Sequence, residues 1–238
     1  YWENWLGPFF IEHPIMLHEI QLDVITKLKN TIKNRAPKTV YNIVNYLHTF
    51  LVFAHRSGKI PVVPSFPLKK EYDLVEPKFK WVEEDEQFIL INAIPEIHQP
   101  IFLFLKYHYR RPGEACALQW GDYDEINEVF TIQRTFSDRK LVESTKTRAV
   151  HYIPCDPDFA PIMQELKRQA LDQSDVHLDD FIFQNHRGRM EGKPYTTNGL
   201  RKIWNKARKI TGIDIELYKG TKHSSCTQFV NSKGGTID

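Results

Sequence analysis

Residues 111–124 of this 238-residue chain read Arg-Pro-Gly-Glu-Ala-Cys-Ala-Leu-Gln-Trp-Gly-Asp-Tyr-Asp, which places an arginine and a glutamate three positions apart ahead of an apolar helical turn. Residues three apart share one helix face, so we expect Glu114 to hold Arg111 rigid from behind. The guanidinium would then present a planar fork of donors to an oxyanion such as a phosphate. The alternatives are an ordinary solvated ion pair and the adjacent Arg110, which we interpret as a surface charge because only Arg111 has the right spacing to Glu114.

The same run resembles the first arginine box of the tyrosine recombinases, the phage integrase family, whose pattern is approximately Arg-x-x-Glu-x-x-x-Leu-x-Trp-x-Asp. Every fixed position is filled, the later ones by Leu118, Trp120 and Asp122. The resemblance implies a site-specific recombinase that binds double-stranded DNA at a recombination or attachment site and exchanges strands through a 3′-phosphotyrosyl intermediate. It implies no metal or other cofactor, and a homotetramer on DNA for the intact protein.

A second candidate is Lys146 in Ser-Thr-Lys-Thr-Arg-Ala-Val, residues 144–150, where a loop runs into an apolar strand. Cleaving a phosphodiester without a metal needs side-chain charge from distant positions, because negative charge builds up on the phosphoryl oxygens. The segment resembles the family's β-hairpin lysine, which protonates the leaving 5′ oxygen. Lysine suits that role because neighbouring cations lower its pKa. The alternatives are an exposed hairpin lysine without function, and Lys140 in the same role.

A third candidate segment, residues 217–224, reads Leu-Tyr-Lys-Gly-Thr-Lys-His-Ser. It resembles the family's second box, His-x-x-Arg-His, with Lys219 at the His/Lys position, Lys222 at the arginine and His223 at the last histidine. The departure is Lys222, because a lysine keeps the charge but loses the bidentate fork of arginine. We therefore expect a weakened natural enzyme or an inactivating substitution. An ordinary helix histidine is the alternative for His223.

The nucleophile of the family is a tyrosine on a late helix, and no tyrosine follows Tyr218 in this chain. Tyr218 itself lies too early to match. We expect a fragment that lacks its C-terminal nucleophile segment and does not cleave DNA alone. The alternative function is a catalytically inactive, integrase-like DNA-binding accessory protein. A metal-dependent nuclease matches poorly, since no Asp, Glu or His cluster has ligand spacing.

Composition is that of a globular protein, with 41% hydrophobic and 26% charged residues. The sequence shows neither a bilayer-length apolar run nor an N-terminal signal pattern, so we expect a cytoplasmic protein without a membrane partner. Its three cysteines have no Cys-x-x-Cys spacing and favour neither disulfides nor zinc. We expect them to be small buried apolar side chains.

The net charge of +2 conceals two basic segments. Residues 27–59 hold seven Lys or Arg and no acidic residue, and residues 187–223 hold ten basic and three acidic residues. Residues 71–96 hold eight acidic and two basic residues, which masks both in the total. Two basic surfaces are typical of a protein that grips a duplex, although a charge run is often only a solvated face.

Apolar spacing predicts helices over 14–35 and 37–58, and prolines at positions 61, 64, 67 and 77 indicate a linker. Further helices are predicted after the acidic run at 83–86 and over 101–107, 157–171, 196–210 and from 221 onward. Short strands are predicted at 129–134, 139–143 and 149–154.

The predicted fold is mainly α with two domains. With the resemblance, residues 1–66 are expected to form a helical, SAM-like core-binding domain, 67–78 a linker, and 79–238 an α+β catalytic domain of helices around a small antiparallel sheet, truncated at its C-terminus.

Overall fold

Proline and glycine set the ends of the longest helix of the first unit in a computed structural model of the chain, which describes residues 1–76, 79–137, 140–145, 148–173, 175–185 and 191–233. The chain divides into two compact units, Tyr1–Lys78 and Phe79–Asp238. Helix α3, Pro37–Arg56, starts with a proline in its first turn, and Gly58 follows it in the left-handed conformation at φ +68°. Both positions agree with the sequence prediction.

The first unit is helical, as the spacing predicts. A π-helical turn, Trp2–Leu6, leads into α1, Gly7–Glu12, and a 3-10 turn, Leu17–Glu19, precedes α2, Leu22–Thr31. The helix predicted over 14–35 is therefore shorter, and the Trp2–Glu12 segment was not predicted. The buried side chains that form its core are Leu6, Phe9, Ile20, Ile25, Leu28, Ile32, Val40, Ile43, Val44, Leu47, Leu51, Ala54, Ile60 and Tyr72.

Two details of this unit differ from a simple stripe-and-linker pattern. Phe50, expected on the apolar stripe of α3, is 39% exposed, with its ring centroid 6.0 Å from that of Trp2. The segment predicted as a linker contains a 3-10 turn, Lys69–Tyr72, whose Tyr72 is buried in the core of the first unit. Burial raises the pKa of Tyr72 to about 12.

The second unit places helices around short strands. Its helices are α4 Glu84–Asn92, α5 Gln99–Tyr107, α6 Pro112–Cys116, α7 Ala160–Gln173, α8 Thr197–Thr211 and α9 Ser224–Lys233, with a π-helical turn Lys219–His223 before α9 and 3-10 turns Glu96–His98 and Trp120–Asp122. Thr196 caps α8 by accepting from the amide of Gly199, and Gly212 ends α8 at φ +74°.

The strands are β1 Tyr123–Asp124, β2 Val129–Ile132, β3 Thr135–Ser137, β4 Lys140–Val142 and β5 His151–Pro154. They form two antiparallel sheets, a three-stranded one in the order β1-β2-β5 and a two-stranded one of β3 and β4. The prediction of a single sheet was therefore wrong: the run predicted as 129–134 ends at Ile132, and the next strand pairs with β4, with Ser137 opposite Lys140.

The core of the second unit is rich in aromatic side chains and includes Leu118 and Trp120 of the first arginine box. Phe104 of α5 packs against Phe130 of β2 and Phe159, with ring centroids 5.2 and 5.6 Å away. Phe102 stacks on Trp204 of α8. Within the described residues no single helix is long and apolar enough to span a membrane; one pair bent by 116°, Glu84–Asn92 with Glu96–Tyr107, meets those criteria only when the two are taken together.

Candidate functional site

Arg111 stands directly before α6, and Glu114 holds it in place. The Glu114 side chain is only 4% exposed and accepts from Nη1 of Arg111 at 2.8 Å and from the backbone amide of Arg111 at 3.0 Å. Pro112 fits the first helical position because the amide it lacks would have no partner there. The hydrogen bond to Glu114 raises the pKa of Arg111. One side of the guanidinium is thus fixed, while the side chain stays 36% exposed for a ligand.

The segment between α5 and Arg111 is anchored by His108, which sequence reasoning missed. Its Nε2 accepts from the amide of Asp156 at 3.0 Å, and its Nδ1 lies 3.2 Å from the carbonyl of Phe104. Burial lowers the pKa of His108 to about 4, so the ring is neutral. The following Tyr109 has φ +54°, a left-handed conformation uncommon for a bulky residue.

Arg110 is half-buried rather than the surface charge that the sequence suggested. Its Nε donates to the carbonyl of His108 at 2.6 Å. This contact stabilises the left-handed turn, and the positive charge of Arg110 contributes to lowering the pKa of Lys222.

The π-helical turn Lys219–His223 carries the other predicted cations. Lys222 is half-buried, and burial followed by the positive charge of Arg111 lowers its pKa, while the negative charge of Glu114 acts in the opposite direction. Arg111 and Lys222 are therefore electrostatic neighbours, although they are 111 positions apart in sequence. Lys219 lies beside Glu216, with Nζ 3.4 Å from Oε2.

His223 is held between two aromatic rings. It stacks on Phe79 with centroids 5.8 Å apart and meets Tyr218 edge-on at 4.6 Å. Burial, and then the charges of Lys222 and Lys219, lower the pKa of His223. The lowered pKa favours the neutral imidazole, which has one nitrogen that donates and one that accepts a hydrogen bond.

A cavity of about 600 Å³ lies between the first arginine box and α8. Its lining side chains are Arg111, Pro112, Thr197, Arg201, Asn205, Arg208, Glu216, Leu217 and Tyr218. Arg201, Arg208 and Tyr218 were not predicted as site residues from the sequence. The excess of basic residues over 187–223 was the signal that could have indicated the two arginines. Three guanidinium groups and the carboxylate of Glu216 line this cavity. Two of the guanidinium groups already have a carboxylate partner, Glu114 for Arg111 and Asp214 for Arg208.

The two lysine candidates near the hairpin of β3 and β4 are Lys146 and Lys140. Lys146 lies outside the described residues, whereas the alternative Lys140 is exposed at the start of β4. The neighbouring Thr145 is buried and donates from Oγ1 to the carbonyl of Ala149 at 2.8 Å. The pairing of Lys146 with Arg111 therefore remains a prediction.

Two contacts connect the first arginine box to the hairpin of β3 and β4 and to Arg134, which directly precedes β3. Asp122, 3% exposed, accepts from Nη2 of Arg134 through both carboxylate oxygens at 2.6 Å. A Cβ added to Gly113 would lie 2.7 Å from the carbonyl oxygen of Phe136, so α6 and β3 approach each other in a way that only glycine permits. Residues of the first arginine box therefore pack against β3, in addition to holding Arg111 in place.

Among the residues described, no group of three or more His, Cys, Asp or Glu side chains is placed to hold a metal ion. Cys116 and Cys155 are buried, as expected, and Cys226 is only partly buried. Burial raises the pKa of Cys155 to about 11, which keeps the thiol protonated and unreactive.

Comparison with curated proteins gives two relatives from Escherichia coli (strain K12). The chain is 28% identical over 206 residues to "Putative defective protein IntQ", covering 77% of this chain and 50% of that protein. It is 25% identical over 211 residues to "Prophage integrase IntR", covering 81% of this chain and 50% of that protein. The chain therefore spans about half the length of the curated relatives it matches.

Solved structures share the fold at low sequence identity. The Tn1549 transposon integrase in complex with circular intermediate DNA matches with a TM-score of 0.69 and 16% identity, over 93% of this chain and 76% of that one. A lambda integrase tetramer bound to a Holliday junction matches with a TM-score of 0.62 and 15% identity, over 99% of this chain and 67% of that one.

The family of the chain follows from a match to a family model, not from the structural likenesses at 15–16% identity. The Phage integrase family pattern matches residues 80–235, about two thirds of the chain, and this range contains the first arginine box and the turn Lys219–His223. The chain belongs to the phage integrase family, the tyrosine recombinases.

Proposed function

We propose that this chain is the DNA-binding and phosphate-binding part of a site-specific tyrosine recombinase of a mobile element. One observation carries the proposal: Arg111, fixed by the buried Glu114, lies close enough to Lys222 for its charge to lower the pKa of that lysine. Glu114 balances only one of these two positive charges, so the pair attracts a further anion. A DNA phosphate suits this position, since it accepts from a guanidinium and an ammonium at once.

The proposed chemistry follows from where charge develops. A tyrosine hydroxyl supplied from outside residues 1–238 attacks phosphorus, the new P–O bond forms, and the bond to the 5′ oxygen breaks. Arg111 and Lys222 stabilise the charge on the nonbridging oxygens. The proton of the tyrosine hydroxyl passes to the imidazole of His223, the leaving 5′ oxygen takes a proton from Lys146, and Lys219 assists proton transfer. The reverse step, with a 5′ hydroxyl of another strand, rejoins the DNA without a metal or other cofactor.

In this proposal the first unit is a core-binding domain that contacts duplex DNA through its basic residues. Six of the seven Lys and Arg between 27 and 59 are exposed. Lys29 differs, because its Nζ lies 4.7 Å from the ring centroid of Tyr72 and 3.9 Å from Glu71. The intact protein is proposed to act as a homotetramer on DNA, and the lambda integrase tetramer on a Holliday junction supports this.

A second candidate is a catalytically inactive accessory protein that binds DNA only. Lys222 favours this candidate, because a lysine lacks the planar guanidinium that binds two phosphate oxygens at once. The relative named "Putative defective protein IntQ" supports the same direction. We rank it second because simple duplex binding does not require a guanidinium fixed by a buried carboxylate.

The deciding experiment uses the intact protein, extended to the natural end of its reading frame, and nicked duplexes from both ends of the element that carries it. The nick lets the cleaved strand diffuse away, so a covalent protein–DNA adduct accumulates and is visible on a denaturing gel. We expect an adduct that protease removes and that Arg111→Ala abolishes. Lys206→Ala, on the exposed basic part of α8, is the matched control for loss of one positive charge.

The outcomes separate the two candidates. An adduct from the natural sequence supports the recombinase. An adduct that appears only after Lys222→Arg, or retarded mobility of the duplex without an adduct in either form, supports the catalytically inactive accessory protein. An adduct of equal yield in the Arg111→Ala protein contradicts the proposed role of Arg111.

A further inference from the structure

Gln87 of α4 is fully buried, yet it is polar and lies outside both family boxes. Its Nε2 donates to the carbonyl of Gly220 at 2.8 Å and to Oγ of Ser225 at 3.0 Å, and lies 3.4 Å from the carbonyl of Thr221. These three partners belong to the turn Lys219–His223 and the first residues of α9. One carboxamide, more than 130 positions away in sequence, therefore holds the backbone that carries the candidate cations.

The other end of the same amide has no partner. Oε1 of Gln87 is buried and accepts no hydrogen bond within the part of the chain that is described. An orphaned buried carbonyl is destabilising, and an apolar side chain would avoid it. A buried group with this imbalance calls for a reason other than packing. Here its N–H donors supply that reason, because they are directed at the turn and at Ser225 in the first turn of α9.

Other buried polar groups strengthen the same connection. Oγ of Ser224 accepts from the amide of Val82 at 3.0 Å and donates to the carbonyl of Lys219 at 2.7 Å. Oγ1 of Thr221 donates to the carbonyl of Leu217 at 2.8 Å. The turn also packs closely against the core, since a Cβ on Gly220 would lie 2.5 Å from Cζ2 of Trp204. The backbone of the turn is thus fixed from inside the core.

The residues of the turn and the start of α9 divide between two faces. Gly220, Thr221 and Ser224 face the core and are buried, whereas Lys219, Lys222 and His223 are only partly buried. Rotation of the turn about its axis would therefore move all three titratable groups together relative to Arg111. Hydrogen bonds that hold the buried face of the turn therefore also hold the backbone of Lys219, Lys222 and His223.

We propose that Gln87 is a positioning residue, which sets the rotation of the turn Lys219–His223 and so places Lys222 beside Arg111, and the adjacent His223 with it, for phosphate binding. This inference rests on the proposed function for the identity of the ligand. The placement itself does not depend on that ligand. Gln87 contacts no substrate in this proposal and acts only through the backbone of the turn.

The test compares three variants of this chain. Gln87→Met removes the donors and keeps the side-chain length. Ser225→Ala removes one acceptor and is the milder change if Gln87→Met fails to fold. Gln99→Met is the matched control, because it also removes a side-chain donor to a backbone carbonyl in the second unit, that of Ile94 at 2.7 Å, but away from the turn.

Three measurements are made on each variant. Amide hydrogen exchange reports the turn, and we expect residues 219–225 to exchange ~10-fold faster in Gln87→Met, as loss of one or two buried hydrogen bonds would produce. NMR titration gives the pKa of the His223 imidazole, which should rise toward its ordinary value. Titration with inorganic phosphate, followed at His223, should show binding weakened about three- to tenfold.

The results distinguish placement from mere stability. Faster exchange in 219–225 with a changed pKa of His223, both absent in Gln99→Met, supports the proposal, and Ser225→Ala should show the same changes at smaller size. Faster exchange with an unchanged pKa of His223 and unchanged phosphate affinity overturns it and leaves a structural role. Unchanged exchange also overturns it. If phosphate does not bind the unaltered chain, the proposed function fails, and exchange and the pKa of His223 still decide the role of Gln87.

Discussion

Glu114 accepts two hydrogen bonds from one residue, Arg111, at 2.8 Å from the guanidinium and at 3.0 Å from the backbone amide. The carboxylate is almost entirely buried, whereas the guanidinium is a third exposed. The pair is therefore asymmetric: Arg111 remains solvated without Glu114, but Glu114 becomes a buried charge without its cation. This asymmetry predicts different costs for removing the two partners.

We expect Arg111→Met to lower the free energy of unfolding by about 3 kcal/mol, since it leaves a buried carboxylate without its cation. Glu114→Gln should cost only about 1 kcal/mol, because it removes the buried charge and leaves a solvated arginine. Urea unfolding of both variants measures the difference. The double variant should be more stable than Arg111→Met alone. Equal costs for the two single variants would contradict the asymmetry.

His108 predicts a pH dependence of stability. Its pKa is about 4 in the folded chain and about 6.5 in the unfolded chain, because burial disfavours the imidazolium. The unfolded state therefore binds the extra proton first as pH falls, and stability is lost between about pH 6.5 and 4. The loss attributable to His108 is about 3 kcal/mol, from the size of the shift.

The measurement for His108 is urea unfolding as a function of pH, for the natural chain and for His108→Gln. The glutamine does not titrate, so its profile should lack this part of the acid loss, although it starts from lower stability at pH 7. Direct NMR titration should show the imidazole of His108 still neutral at pH 5. Protonation near pH 6.5 in the folded state would refute this assignment.

The first box was predictable from sequence because its interactions are local. Arg111 and Glu114 are three residues apart, and helical geometry alone brings them together. The ends of α3 and α8 were predictable for the same reason, since Pro37 and Gly212 act on their own backbone. A property that one residue imposes on its neighbours can be deduced from a linear pattern.

The rest of the site depends on long-range partners, for which a single sequence gives no signal. Gln87 looks like a solvent-facing polar residue after an acidic run, yet its partners are more than 130 positions away. His108 is bonded to the amide of Asp156 in the same manner. The break between β2 and β3 was also missed, because an alternating pattern does not show which strand each residue pairs with.

Lys222→Arg tests whether the departure from the family pattern weakens phosphate binding. An arginine restores a bidentate fork beside Arg111, so inorganic phosphate should bind this chain about five- to tenfold more tightly. Chemical shift titration of the His223 imidazole gives the Kd. Lys219→Arg is the control, because Lys219 lies beside Glu216 and should change affinity less. A similar gain in phosphate affinity for both variants would indicate general electrostatic attraction and not a bidentate contact at position 222.

Gly113→Ala tests how the first arginine box supports the hairpin. The added Cβ would lie 2.7 Å from the carbonyl oxygen of Phe136 and from Oγ1 of Thr135, and a backbone oxygen cannot rotate away. Strand β3 must shift, so we expect a loss of about 1–3 kcal/mol in the free energy of unfolding. Hydrogen exchange should rise at the Ser137 and Lys140 pair of the hairpin.

Gly199→Ala is the control for this substitution. Its Cβ would meet only the Thr196 hydroxyl, at 3.2 Å, and alanine is favoured in a helix, so the change should stay below about 1 kcal/mol. Lys146 follows β4 in the chain, so displacement of the hairpin by Gly113→Ala should also reduce adduct formation by the intact protein.

Unchanged stability and unchanged exchange in Gly113→Ala would show that α6 and β3 do not approach each other as closely as described.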